Sequence, residues 1–131
     1  MRSLASSARV GHLGTVGADG TPHVVPVCFA LLDDVAYSMV DHKPKRSPNL
    51  RRIANLQATG HACLLLDEYD EDWCRLWWVR LDGRGRIVGD SREQLAALTA
   101  LMEKYPQYIE KAPNGPVLAV DVIRWSCWSA K

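Results

Sequence analysis

The tetrapeptide Gly17-Ala18-Asp19-Gly20 stands between two β-rich runs, Val10 to Val16 and Thr21 to Leu32, and it restricts the fold more than any other feature of the chain. Glycine accepts the positive φ of a tight reversal, so the segment predicts an antiparallel hairpin. Leu32-Asp33-Asp34 closes the second strand and Val35 to Val40 begins a third. The first forty residues therefore predict an antiparallel meander, entered by a short helix over Ser3 to Arg9.

From Ser47 the period changes. Ser47 suits an N-cap, Pro48 suits a first helical turn, and Leu50, Ile53, Ala54 and Gln57 recur at spacings of three and four, which predicts a helix over 47–58 ended by Gly60. His61 to Leu66 predicts a strand whose continuous apolar centre implies burial on both faces, followed by an acidic loop. Leu76 to Val88 predicts two strands or one long hairpin around Asp82-Gly83. Asp90 or Ser91 caps a second helix with Leu95, Leu98, Leu101 and Met102 on one face, and Tyr105-Pro106 ends it. Pro113-Asn114-Gly115-Pro116 is turn chemistry, and Val117 to Trp125 alternates as a final strand.

About six strands arriving in hairpins, with two or three inserted helices, predict a mainly β protein built as a small closed or split antiparallel barrel. A parallel sheet would need strands alternating regularly with helices. The length, 131 residues, corresponds to a single domain over 1–131. The longest apolar run, Val24 to Leu32, is about half of what a membrane-spanning helix needs. No apolar stretch follows Met1-Arg2 as a secretory signal would require, so the expected location is the cytoplasm. Cys28, Cys63, Cys74 and Cys127 show no Cys-x-x-Cys pair and no histidine at zinc-ligand spacing. They are expected to be buried free thiols, with no metal site.

The formal net charge of +1 hides two opposed blocks. Lys43, Lys45, Arg46, Arg51 and Arg52 stand together without an acid; Asp67, Glu68, Asp70, Glu71 and Asp72 stand together without a base. The cations precede or open a predicted helix whose first turn holds Asn49. A helix start offers free N–H groups and the positive end of its dipole, so the block predicts an anion site. The acidic block lacks the glycine and terminal glutamate of a calcium-binding loop and reads as solvated. Trp73, Trp77 and Trp78 form an aromatic cluster, and adjacent strand residues face opposite ways, so one of Trp77 and Trp78 is free to meet a partner or a ring-shaped ligand. His12, His23 and His61 read as structural, while His42 neighbours the basic block. Neither a dinucleotide fingerprint nor a phosphate loop is present, which disfavours a nucleoside triphosphatase.

Three stretches together carry a resemblance to a known family. They are the hairpin Gly14 to Val27; Asp41-His42-Lys43-Pro44-Lys45-Arg46 with Asn49-Leu50-Arg51-Arg52; and Asp70-Glu71-Asp72-Trp73 with Leu76-Trp77-Trp78-Val79. The chain resembles, over nearly its whole length, the FMN-binding split-barrel superfamily named for pyridoxamine 5'-phosphate oxidase. Within it, the Lys-Pro-Lys-Arg stretch and the tryptophans resemble an actinobacterial branch that uses the deazaflavin coenzyme F420. That resemblance implies a six-stranded antiparallel split barrel and a homodimer with the cofactor at its interface.

It also implies which residues hold the cofactor. Lys45, Arg46 and Asn49 match the family's phosphate-binding positions, with Lys43 and Arg52 nearby. Pro26, Val27 and Cys28 would present backbone groups to the ring system, and Trp77 or Trp78 would close the pocket from the partner chain. The implied activity is hydride transfer from reduced deazaflavin to a small unsaturated or quinone-like substrate, with no side chain marked as proton donor. The chain ends Arg124 to Lys131 without the arginine-rich segment by which vitamin-oxidising members hold their substrate, which argues against that reaction. The alternatives are an FMN-binding protein, either flavin reductase-like or a non-enzymatic carrier, and a nucleic-acid-binding barrel. The sequence pI of about 7.7 and the acidic block speak against nucleic acid.

Overall fold

The computed structural model describes residues 1–40 and 50–131. Four helices, α1 (Arg2–Ser7), α2 (Arg51–Ala58), α3 (Ser91–Lys104) and α4 (Gln107–Glu110), accompany seven strands among those residues. The strands are β1 (Gly11–Val16), β2 (Pro22–Val27), β3 (Ala30–Leu32), β4 (Val35–Met39), β5 (His61–Glu68), β6 (Trp77–Ile87) and β7 (Val117–Ser129). They form one antiparallel sheet in the order β2-β1-β5-β6-β7-β4-β3, curled into a half-barrel. The Asp41 to Asn49 segment, with its expected Ser47 cap and Pro48, lies outside the described residues.

The mainly β, split-barrel expectation holds, with seven strands in place of six. The run Thr21 to Leu32 is two strands, because the chain turns inward at Cys28-Phe29. Phe29 is fully buried, and the Tyr105 hydroxyl at the end of α3 grips its backbone, accepting from the N–H at 3.1 Å and lying 3.2 Å from the carbonyl oxygen. The break sends β2 and β3 to opposite edges, so the opening residues are not a contiguous meander; β4 pairs with β3 and β7.

Nor is there a hairpin at Asp82-Gly83. β6 runs straight through, pairing with β5 on one side and β7 on the other, with a register irregularity at Asp82/Gly83 against β7. Glycine is required there because a Cβ on Gly83 would collide with the Asp121 carbonyl oxygen. The irregularity belongs to a bulge, which bends a strand and increases its twist. β7 likewise extends past Trp125 to Ser129, because β6 supplies a partner along its length.

The main core fills the inner face, with Leu13, Leu64, Leu66, Val79, Leu81 and Leu118 fully or nearly buried. β5 alternates, burying Ala62, Leu64 and Leu66 while Leu65 is partly exposed, so its expected burial on both faces is corrected. In α2 the buried residues are Asn55 and Leu56, whereas Ala54 and Gln57 are exposed, so the expected apolar face is rotated. Polar chemistry explains the choice: Asn55 donates from Nδ2 to Thr15 Oγ1 at 3.0 Å, and Thr59 Oγ1 donates to the Val16 carbonyl at 2.9 Å. Gly60, at φ +73°, then turns the chain into β5. Of the cysteines, Cys28, Cys74 and Cys127 are exposed and Cys63 is half-buried; all are free thiols, but the expected burial is not found.

A second packing layer lies on the opposite face, where α3 covers β4 and β7 and buries Ala97 against Tyr37, Val117 and Ala119. Leu95, expected on that face, is exposed. Asp90 caps the helix by accepting from the Glu93 N–H at 2.9 Å. Glu93 receives both Arg86 guanidinium nitrogens, at 2.9 and 2.7 Å, and the Tyr37 hydroxyl at 2.6 Å; Arg86 also grips Asp121 with two bonds at 2.7 and 2.9 Å. The Arg86 bonds, then that of Tyr37, hold the Glu93 carboxyl down at about 2. Burial, reinforced by Glu93, pushes the Tyr37 phenol up to about 12.

Two predictions follow from these packing arrangements. Replacing Glu93 with Gln should lower stability at neutral pH by about 2 kcal/mol, the scale of hydrogen bonds to a charged group. Because the folded value lies below the ordinary one of 4.5, that stabilisation is complete above pH 4.5 and is lost as pH falls towards 2. The wild-type and Glu93→Gln melting temperatures should therefore converge across that window. Lys104 behaves oppositely. Its Nζ is buried over the Phe29 ring, 3.6 Å from the centroid, with no hydrogen-bond partner, and burial with nearby Arg9 pulls its pKa down to about 8. The charge is thus penalised below pH 8 and the penalty fades as pH rises to the ordinary 10.5. Lys104→Met should melt higher than wild type at pH 7, and thermal scans should show the gap closing by pH 10.5.

Candidate functional site

Arg52 occupies the first turn of α2 and points towards the sheet. Its Nε is buried without a hydrogen-bond partner among the described residues, and burial alone pulls the pKa of its guanidinium down. A donor that has lost water and gained no protein acceptor is costly. Arg52 precedes Asn55 by three residues and so shares its helix face, and Asn55 bonds Thr15 on β1. Directly across from Thr15, on β2, stands His23, whose Nδ1 is also buried and unpartnered.

Arg51 adds its charge beside the hairpin turn. The Asp19 carboxyl is held below its ordinary range, first by accepting from Thr21 N–H and also by Arg51. One end of α2 and the β1–β2 hairpin thus each hold, among the described residues, a buried ring or guanidinium nitrogen with unmet hydrogen-bonding capacity. The guanidinium suits an anionic oxygen. His23 reads as structural in the sequence; its role here depends on the Thr15↔His23 register, which only the folded hairpin shows.

Pro26 and Val27 end β2 and Cys28 follows it; β2 is an edge strand whose other side pairs with no strand among the described residues. The Val27 side chain packs on the core while Pro26 and Cys28 are exposed. What this segment offers a ligand is backbone along a free edge. Lys43, Lys45, Arg46 and Asn49 lie outside the described residues.

Trp77 and Trp78 divide as their adjacency predicts. Trp77 packs partly against the inner core. Trp78 faces outward, directly between Asp67 on β5 and Trp128 on β7, and these line a cleft of about 420 Å³ with Leu65 and Arg80; at the end of the sheet Glu68 and part of Trp77 border it too. The sequence reading missed Trp128 because it ended the strand at Trp125. Extending the strand three residues, through Ser126-Cys127 to Trp128, would have reached it. Arg52 lies on a helix packed over the inner face, so it and Trp78 are on opposite faces of the same sheet.

A curled antiparallel sheet with a helix plugging its inner face, an aromatic cleft outside and a cationic donor, Arg52, at the helix start without a partner among the described residues defines a split-barrel protein. The family comparison agrees and narrows it: residues 1–129 match the pyridoxamine 5'-phosphate oxidase family, and the chain belongs to that family. None of the curated proteins matches.

Among solved structures, the chain is similar to the conserved hypothetical protein Rv2991 from Mycobacterium tuberculosis. The TM-score is 0.80 at 20% identity, covering 98% of this chain and 82% of the other. It is also similar to the heme storage protein HutZ from Vibrio cholerae (TM-score 0.75, 15% identity, 98% and 90% covered). A FAD-binding protein from Mesorhizobium loti gives a TM-score of 0.71 at 19% identity, with 96% and 89% covered. At these identities the likeness is one of fold. Among the described residues no three His, Cys, Asp or Glu side chains converge as a metal site, and no helix is long and apolar enough to cross a membrane.

The unmet donors generate a test that needs no cofactor. Millimolar inorganic phosphate should raise the melting temperature of the wild-type chain by preferential binding to the folded state. Arg52→Met should melt at or above the wild-type temperature in phosphate-free buffer and lose the phosphate response. A response that survives in this variant would place the anion elsewhere.

Proposed function

We propose that this member of the family is an oxidoreductase that uses coenzyme F420 and transfers hydride from the reduced deazaflavin to a small unsaturated or quinone-like substrate. The observation that carries the reading is Arg52: a buried guanidinium nitrogen without a partner, in the first turn of the helix that follows the cationic segment. Coenzyme F420 bears a phosphodiester and a polyglutamate tail, more negative charge than a flavin mononucleotide. Lys43, Lys45, Arg46, Arg51 and Arg52 supply matching positive charge. In this reading Lys45, Arg46, Asn49 and Arg52 hold the phosphate, and the backbone of Pro26, Val27 and Cys28 borders the ring.

The deazaflavin supplies the hydride, and the chain's own part is to bind, orient and exclude water. Trp78 and Arg52 lie on opposite faces of one sheet, so a ligand touching both requires two copies of the chain. This supports a homodimer in which Trp78 of one copy closes the pocket of the other. Trp77 is the weaker candidate for that role, because its ring is partly committed to the core.

The test is a parallel titration of F420 and FMN, followed by tryptophan quenching. F420 should bind more tightly, and Lys45→Ala with Arg46→Ala should remove most of that preference, each lost charge-assisted bond costing about 1.5–3 kcal/mol. Equal or reversed affinities would favour the flavin-binding alternative. Turnover with reduced cofactor across unsaturated acceptors separates an enzyme from a carrier.

A further inference from the structure

The acidic block and the tryptophan cluster, separate features in the sequence, meet at one end of the sheet. Asp67 and Glu68 end β5, and their cross-strand partners are Trp78 and Trp77. The loop that follows holds the remaining acids of the block and two further aromatic rings, Tyr69 and Trp73, joined by a hydrogen bond from Trp73 Nε1 to the Tyr69 hydroxyl at 3.3 Å. These rings are not core: Tyr69 is 65% exposed, Trp73 68% and Trp128 46%. Large aromatic surface left in water at one place marks a binding surface, and here Tyr69 and Trp128, though not Trp73, line a cleft with Trp78.

The charges that face the cleft decide what it takes. Arg80 is the cation in its lining, and it is already committed: its Nε lies 3.1 Å from Asp82 Oδ2, and its guanidinium stands 6.0 Å from the Trp78 ring centroid. Arg124 also turns to Asp82, at 3.9 Å, and Arg75 to Asp70, at 3.6 Å. His12 on β1 approaches Asp67 at 4.0 Å and balances it only when protonated. Glu68 has no ion-pair partner among the described residues. The cleft thus combines indole faces, which attract cations through their quadrupole, with carboxylates in excess.

We propose that this cleft binds a planar organic cation, a heteroaromatic ring with a fixed positive charge, lying against Trp78 and Trp128 with Asp67 and Glu68 as counter-charge. The inference deepens the F420 reading by naming the class of its substrate, and it rests on that reading only in calling the ligand a substrate. An anionic ring is rejected by the same carboxylates.

The test is isothermal titration of the full chain, without cofactor, at pH 8. The probes are 1-methylquinolinium, neutral 4-methylquinoline and quinoline-4-carboxylate. The cation should bind at least tenfold more tightly than the neutral ring, with the carboxylate weakest. Asp67→Asn with Glu68→Gln, both at exposed positions and checked by unchanged melting, should bring the cation down to the neutral ring's affinity. Trp128→Ala should weaken cation and neutral ring alike.

Equal binding of cation and neutral ring, or no binding of any probe, overturns the proposal. So does a preference for the cation that survives the carboxylate replacements. Sedimentation supplies a further refutation: if Trp128→Ala dissociates a dimer and the intact chain takes no probe, a second copy fills the cleft. F420 binding through Arg52 is read in a separate titration, so either result can fail without the other.

Discussion

The sheet depends on how β6 and β7 pair around Gly83. β6 is paired on both edges from Trp77 to Arg84 and with β7 on to Ile87, so it cannot curve there by shedding a partner. The register slips at Asp82/Gly83, where β7 carries one extra residue, Ile123, and the backbones of β6 and β7 approach so closely that only glycine fits; such a bulge bends the strand that carries it. On one side of the bulge Val79 and Leu81 reach the inner core with no exposed surface. On the other, Arg86 meets Asp121, whose carbonyl is the group that excludes a side chain at Gly83. Sheet curvature and the anchoring of α3 are therefore two consequences of one local geometry.

The same geometry explains what could be read from the chain and what could not. The Gly17–Gly20 hairpin, the Asp90 cap and the stop at Tyr105 are local, since each is written in adjacent residues and each is found. Asp82-Gly83 carries the same local signature as a hairpin turn, and it became a bulge because strands on both sides held the chain straight. The break at Cys28-Phe29 was illegible for the opposite reason. Nothing in Val27-Cys28-Phe29-Ala30 signals a turn, and the group that fixes it, the Tyr105 hydroxyl, is 76 residues away. The site followed the same division. The cationic and aromatic clusters were visible as clusters, whereas His23 and Trp128 joined them only through strand register.

The treatment of two arginines separates structure from function in this molecule. Arg86 makes hydrogen bonds to two carboxylates and raises its own affinity for the proton by doing so. Arg52, more deeply buried than Arg86, has an Nε without a partner among the described residues and a depressed pKa. A chain able to satisfy one guanidinium so fully has no stability reason to leave another unmet. An alanine or leucine at position 52 would relieve the penalty without disturbing the face that Leu56 buries. The retained penalty is intelligible as preorganisation, since the desolvation is met in advance and an incoming anion recovers it.

Net charge is therefore a poor guide to this protein, and location is a good one. Asp67, Trp78 and Trp128 occupy the outer face at one end of the sheet; the described cations of the basic block, Arg51 and Arg52, open the helix that packs against the inner face. Had the two blocks faced each other within one chain, they would have neutralised one another as salt bridges. The described ion pairs are instead drawn from other cations: Arg75 meets Asp70, Arg80 and Arg124 meet Asp82, and Arg86 meets Glu93 and Asp121. Keeping Asp67 and Arg52 on opposite faces of the sheet preserves both fields. Such a surface is suited to ligands of opposite sign, an anionic cofactor on one side and a cationic ring on the other. Only a second copy, bringing its outer face against the first, would place those ligands side by side.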